Sequence, residues 1–378
     1  MASSGVWCSA PGKVILLGEH SVVYGARAVA GALHDLRVYA HVDRRTDGLV
    51  CINLPDVGLE WQGDAQDLGC ARKRGEGLPP PPVGAPRPAV LARARLALRL
   101  GDAESPLLCV AYLCAEICDT SGASITVVSH GLPVGAGLGS SAACAVATTA
   151  ALLEAAQPGA AADLQVVNMW AFAAEIVSHG TPSGLDNYVS CHGGGTVSCR
   201  GGGAVAKEHG ALRCEALALP ELPLLVTDTR VPRRTRDLVE RVGSALLRRP
   251  EATRALFCCI DAIVAEFAEA CSSGRPGLAR TTGELFRLNH SVLRALDVSH
   301  AALEDVAAVA TEHGAPSTKL TGAGGGGCCI TLLHGGDGAP LPAEKVQELC
   351  EALERRGYVP YRTRVGGAGV LTHVQGPP

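Results

Sequence analysis

The residues of this chain best suited to chemistry fall in a few short stretches, the densest of which is Leu132–Ala143. It reads LPVGAGLGSSAA and carries Gly135, Gly137 and Gly139, followed by Ser140 and Ser141. Ahead of it, Ala123–Ser129 is rich in β-branched residues and reads as a strand. Behind it, Ser140–Gln157 is alanine-rich, has no proline or glycine, and reads as a buried helix. Glycine has no Cβ and tolerates φ > 0, so a strand–loop–helix junction of this kind lets backbone N–H groups approach an anion. The helix N-terminus adds unpaired N–H groups and a partial positive charge. The chemistry this suits is phosphate binding; the plain alternative is a glycine-rich turn ahead of a core helix. The loop is neither GxxxxGK[ST] nor GxGxxG, so it is not a P-loop or a dinucleotide fingerprint.

Further polar residues stand in unusual settings. Lys13 begins the apolar run Val14–Leu17, and Gly18-Glu19-His20 ends it. A lysine there is either solvated or paired, since lysine is rarely buried alone. Glu175 lies among Trp170, Phe172, Ala173 and Ile176 in a segment otherwise poor in charge. Such a carboxylate either turns to water or holds a cation. Asp186 follows the turn sequence His179–Leu185 and could cap a helix starting there. A second glycine loop, STKLTGAGGGG, spans Ser317–Gly327. It would be floppy unless backbone packs tightly around it.

The elements that must position these residues follow from pattern and composition. Strands are expected at Val6–Ala10 and Lys13–Leu17, joined by a Pro-Gly turn, and then at Ala28–Val42 and Leu49–Leu54. Asp64–Pro88, with its basic run at Arg72-Lys73-Arg74 and the tract Pro79–Pro82, reads as a surface excursion. Pro88–Leu100, Pro106–Cys118 and Ala162–Ser178 read as helices. Beyond the strand Pro223–Thr229, long helices dominate until the strand at Cys328–Leu333. Partial segregation of strand-rich and helix-rich stretches favours an α+β fold over a doubly wound sheet. The length suits two domains, 1–224 and 225–378.

Bulk properties narrow the function. Hydrophobic residues make up 47% and charged residues 19%, enough apolar surface for a sizeable core. A net charge of −4 and an aromatic content of 3% argue against a nucleic-acid partner, which needs a basic face or base-stacking platforms. The 16 cysteines sit mostly in apolar runs without CxxC, which reads as free buried thiols in a reducing compartment. No membrane span and no secretory leader is expected, and the ending VQGPP is not a peroxisomal tripeptide, so the cytoplasm is the expected location.

Taken together, APGKVILLGEH, LPVGAGLGSSAA and KLTGAGGGGC resemble the three signatures of the GHMP kinases, small-molecule kinases acting on galactose, homoserine, mevalonate and phosphomevalonate. PGKVILLGEHSVVYG, HGTPSGLDNYVS and TRVPRRT are most similar to the branch that phosphorylates mevalonate, over essentially the whole chain. The chain departs from the family pattern at His130, where a serine is usual, and over Asp64–Ser105.

The resemblance implies an N-terminal domain of the ribosomal protein S5 domain 2 type, a ferredoxin-like C-terminal domain, and a site in the cleft between them. It implies that the backbone of Gly135, Ala136, Gly137, Leu138, Gly139, Ser140 and Ser141 wraps the phosphates of ATP. Ser141 and Glu175 would hold Mg²⁺. Asp186 would accept the proton of the substrate hydroxyl, with Lys13 beside it and near the γ-phosphate. Glu19, His20 and Thr235 match positions of mevalonate recognition or of the surrounding polar network, and Ala323 in the third loop would lie close to substrate. A homodimer and feedback inhibition by prenyl diphosphates in the ATP site are further implications. Two alternatives stay open: a kinase of another small alcohol, such as phosphomevalonate or a sugar, and a non-catalytic ligand sensor on the same fold.

Overall fold

In the computed structural model, which describes residues 5–82, 85–100, 105–200, 212–274 and 277–377, the apolar run after Lys13 belongs to one long strand, β1 (Val6–Leu17). The expected Pro-Gly turn does not form. Pairing with β2 (Ala28–Arg44) runs through Pro11↔Arg37 and resumes at Lys13↔Ala32, so a register shift absorbs the proline, which has no N–H to give a ladder. Gly12 is required there: a Cβ would come within 2.5 Å of Leu132 and 2.8 Å of the Leu138 carbonyl. That close approach brings Lys13 against the central glycine loop.

The chain continues through β3 (Leu49–Leu54), β4 (Leu59–Asp64), α1 (Ala65–Leu68), α2 (Pro88–Leu98), α3 (Pro106–Ile117) and β5 (Ala123–His130). Then come α4 (Ser140–Ala156), α5 (Leu164–His179), α6 (Leu185–His192), β6 (Gly195–Arg200) and β7 (Leu212–Leu217). In the sequence Gly193–Gly195 and Gly201–Gly203 bracket a short stretch that reads as a strand; β6 is that strand, and Gly201–Gly203 lie outside the described residues. Small side chains let α4 lie close on β1 and β2: Ala143, Ala147, Ala150 and Ala151 are fully buried. Helix α3 is buried from Leu107 to Ile117 and packs on α4 and α5. Apart from the Pro-Gly turn, the expected strand and helix positions are met within a few residues; β4 and β7 were not expected, and the stretch from Asp64 to Pro88 is not wholly a surface excursion, because Ala65 and Leu68 of α1 and Cys70 after it are buried in the core.

The second half comprises β8 (Leu222–Asp228), α7 (Thr235–Arg248), α8 (Pro250–Ser273), α9 (Leu278–Ala295), α10 (Ala301–Glu312), β9 (Thr318–Leu320), β10 (Cys328–Leu332), α11 (Ala343–Arg355) and β11 (Val359–Val365). Its spatial strand order, β11-β8-β10-β9, all antiparallel, is that of a ferredoxin-like unit. Residue 224 falls inside β8, and the two halves share one sheet through Val365↔Leu33. The last strand, β12 (Leu371–His373), returns to pair with β1. Among named strand pairs only β3 with β5 is parallel, and the helices are segregated, so the fold is α+β.

Candidate active site

Three glycine-bearing segments meet where β1, α4 and α6 converge: β1 and its end, with Gly12 and Gly18, the central loop Leu132–Gly139, and, third in chain order, the loop Ser317–Gly327. The central loop enters α4 with positive φ at Gly135 (79°), Gly137 (83°) and Gly139 (74°), the last being the residue that caps the helix. A non-glycine residue would be strained at each. The N–H groups of Ser140, Ser141 and Ala142 in the first turn have no carbonyl one turn back and stay open to an anion. The Leu138 carbonyl accepts from the Lys13 N–H at 2.8 Å, which locks the loop to β1.

Beside this loop lies an ion pair. Lys13 Nζ stands 3.1 Å from Asp186 Oδ1, the lysine side chain 9% exposed and the aspartate 36%. The buried cation thus faces a carboxylate that is open on its other side. Asp186 does not cap its helix. Gly184, at φ 83°, does so, and Asp186 lies within the first turn of α6, where the helix dipole favours a negative charge. Ser190 of the same helix donates to the Pro11 carbonyl at 2.6 Å, tying α6 to β1 next to Lys13.

A second acidic group flanks the loop from α5. Ser141 Oγ donates to Glu175 Oε1 at 2.7 Å, and His179 Nε2 donates to Ser141 Oγ at 3.1 Å. Glu175 is buried, at 5% exposure, so it does not turn to water. Burial pushes its carboxyl above the ordinary value, against the Ser141 hydrogen bond. His179 was not singled out from sequence. Its place one helical turn after Glu175 was the available signal.

The end of β1 meets the third glycine loop. His20, itself at φ 63°, donates from Nε2 to the Ala323 carbonyl at 2.8 Å, and burial lowers its pKa. Thr321 Oγ1 donates to the Ile15 carbonyl at 2.8 Å. Glu19 is turned away from any ligand: one carboxylate oxygen pairs with Lys319 Nζ, and the other accepts from Asn289 Nδ2 at 2.9 Å. Glu19 therefore belongs to the polar network around the site. Thr235 opens α7, exposed, and no contact in the cluster involves its side chain.

Next to Ser140 and Ser141 opens a cavity of about 320 Å³. Its walls are chiefly apolar, from Val38, Leu54, Pro106, Cys109, Val127 and Cys144, with Asp56 and Ser129 at one side. The Ser129 N–H donates to Asp56 Oδ2 at 2.5 Å. Its lining comes from β2, β3, α3, β5, α4 and α5, so no single stretch of sequence marks the cavity.

Comparison with known proteins matches this geometry to a family. The profile described as GHMP kinases N terminal domain matches residues 105–195, and that described as GHMP kinases C terminal matches residues 267–359. The chain is 37% identical over 399 aligned positions to a mevalonate kinase of Mus musculus, covering 99% of this chain and 96% of that one. It is 38% identical over 404 positions to a mevalonate kinase of Bos taurus, with the same coverage. The fold is similar to the crystal structure of L. major mevalonate kinase in complex with R-mevalonate, with a TM-score of 0.70, 24% identity and 96% of each chain covered. Relatives aligned end to end place the chain plainly: it belongs to the GHMP kinase family, in the branch of the mevalonate kinases.

Proposed function

We infer that the protein transfers the γ-phosphoryl group of ATP to the primary hydroxyl of mevalonate, giving 5-phosphomevalonate and ADP. The observation that carries this is the Lys13–Asp186 pair standing beside an open glycine loop and helix N-terminus. Asp186 takes up the hydroxyl proton as the substrate oxygen bonds to the γ-phosphorus. The bond from that phosphorus to the bridging oxygen breaks, and ADP leaves with the electron pair. Lys13 orients Asp186 and balances charge in transfer, and the N–H groups from Gly135 to Ser141 hold the phosphates. Such transfer is positioning and electrostatics above all.

The residues also fit a metal. Mg²⁺ takes one or two protein oxygens with phosphate and water. Ser141 Oγ and the Glu175 carboxylate form such a pair, and among the described residues the buried carboxylate has no ammonium or guanidinium within hydrogen-bond reach. We assign Mg²⁺ to them; when bound it would neutralise charge on the β- and γ-phosphate oxygens. The apolar cavity suits the adenosine, with Ser140 and Ser141 at its phosphate end. His20, Ala323 and Thr235 are assigned to the mevalonate side, and Glu19 to positioning.

The proposal extends to two domains divided near residue 224, a homodimer, and inhibition by prenyl diphosphates, whose apolar chain and diphosphate match the same cavity and loop. Every cysteine with a described side chain is free, which supports a reducing cytoplasm. No described helix is long and apolar enough to cross a membrane. The test is ADP release with ATP and Mg²⁺ against mevalonate, phosphomevalonate, galactose and homoserine in parallel. Turnover with mevalonate alone is expected; turnover with another alcohol and not with mevalonate refutes the substrate assignment.

A further inference from the structure

One side chain at the site has none of the roles above. Arg233 lies in the link between β8 and α7, within TRVPRRTR. A run of arginines reads as a solvated face, and Arg236 is one: its guanidinium is exposed and pairs with Glu240 on its own helix. Arg233 is different. Its Nη1 donates to the carbonyls of Thr321 (3.4 Å) and Gly326 (3.1 Å), and its Nη2 reaches that of Ala136 (3.5 Å). The first two belong to the third glycine loop and the last to the central one.

The guanidinium occupies space that two glycines leave. A Cβ on Gly137 would stand 2.2 Å from Nη2, and a Cβ on Gly327 would stand 2.4 Å from Cζ and Nη1. The link itself is already stitched to the third loop without this side chain. Thr229 donates from N and Oγ1 to the Gly327 carbonyl (2.9 and 2.8 Å), and the Gly327 N–H donates to the Val231 carbonyl at 3.1 Å. What Arg233 adds is the tie to the central loop, at the carbonyl that Cys328 Sγ also approaches, at 3.3 Å.

Its hydrogen-bond partners are carbonyl oxygens, not carboxylates. They leave the Nε proton and one Nη2 proton uncommitted. A half-buried guanidinium with no carboxylate partner among the described residues, set behind the turn at Gly137, adds a fixed positive charge to a loop built for phosphate. We propose that Arg233 is a positioning residue for the phosphate chain of the nucleotide. It holds the central and third loops at fixed spacing and charges the central loop from behind, so affinity for the phosphates of ATP depends on it while affinity for the nucleoside does not. This rests on the ATP-dependent transfer proposed above.

The test measures ATP and adenosine binding to the wild-type protein, R233M and R233K, with thermal unfolding alongside. Hydrogen bonds and charge contacts to an anion of this kind set the scale: R233M should bind ATP about 10- to 100-fold more weakly. Its adenosine affinity should stay within about twofold, since the cavity lined by Pro106 and its neighbours is untouched, on the additivity expected of separate contacts. R233K, which keeps the charge and loses the fork, should recover part of the ATP loss. Equal losses for the two ligands would mean general damage, and unchanged ATP affinity would mean no role; either overturns the proposal. If R233M does not fold, the ATP-to-adenosine ratio of R233K decides by the same criterion. Wild-type protein that binds adenosine and not ATP would refute the kinase reading itself, which separates the two failures.

Discussion

At the scale of single residues, Lys13 and Asp186 show how burial and charge divide the work. The ammonium is nearly enclosed and the carboxylate is partly open, which suits the proton-accepting role proposed for Asp186. Asp186→Asn keeps the shape and removes the proposed base. Turnover should fall by roughly 10²- to 10⁴-fold, the usual scale for a lost general base. Nucleotide affinity should stay near that of the wild type, which a binding titration checks. His20 adds a pH dependence. Burial lowers its pKa below the ordinary 6.5, so the fold prefers the neutral ring that donates to Ala323. A base with a depressed folded pKa contributes stability that is present above the unfolded value and is lost as pH falls toward the folded one. The unfolding free energy from urea titrations should therefore decline below about pH 6.5, at most by about 1.4 kcal/mol per pH unit from this group. His20→Gln should decline less steeply over the same range; identical slopes would remove His20 from the effect.

At the scale of elements, the junction from β5 to α4 depends on Gly139. Its φ of 74° starts the helix, and a Cβ there would press Lys13 Cγ at 3.0 Å. Gly139→Ala should cost about 1–2 kcal/mol from the left-handed backbone alone. It should also displace Lys13 and so lower kcat, with the loss of kcat exceeding any change in fold seen by circular dichroism. An unaltered kcat would detach the lysine from the loop. The junction, and the long elements generally, were legible from sequence because glycine placement and apolar period are local signals. β1 was not read as one strand, because Pro11-Gly12 has the local chemistry of a turn and only pairing with β2 reveals the register shift. β9 is three residues long and fully buried, too short to show a period. The motif residues at Lys13, Ser141, Glu175 and Asp186 were found as patterns, but their distances were not, because they are set by the packing of α4, α5 and α6 on β1. Arg233 escaped because TRVPRRT was matched as a whole with no role for its arginines, and His179 because a helix-end histidine looks like ordinary surface.

At the scale of the molecule, the two halves are bound more closely than a linear division at residue 224 suggests. β11 continues the sheet of β2, and β12 lies on β1. Arg37, buried in β2, donates to the carbonyls of Ala368 and Gly369, fixing the segment that leads into β12. Deepest of all, Lys319 and Glu19 form an ion pair with both side chains fully buried, joining β9 to the end of β1. A buried pair is weak evidence of net stability, yet removing one partner leaves an uncompensated charge. Glu19→Gln should therefore cost about 3–5 kcal/mol. The three tryptophans, Trp7, Trp61 and Trp170, all precede β8, so their fluorescence reports the first half, while far-ultraviolet circular dichroism reports both. If these cross-links make one cooperative unit, the two probes should give coincident denaturation curves. Glu19→Gln should shift both by the same amount. Curves that separate, or a variant that moves only one of them, would show that the halves unfold independently and that the Lys319–Glu19 pair couples no more than its immediate surroundings.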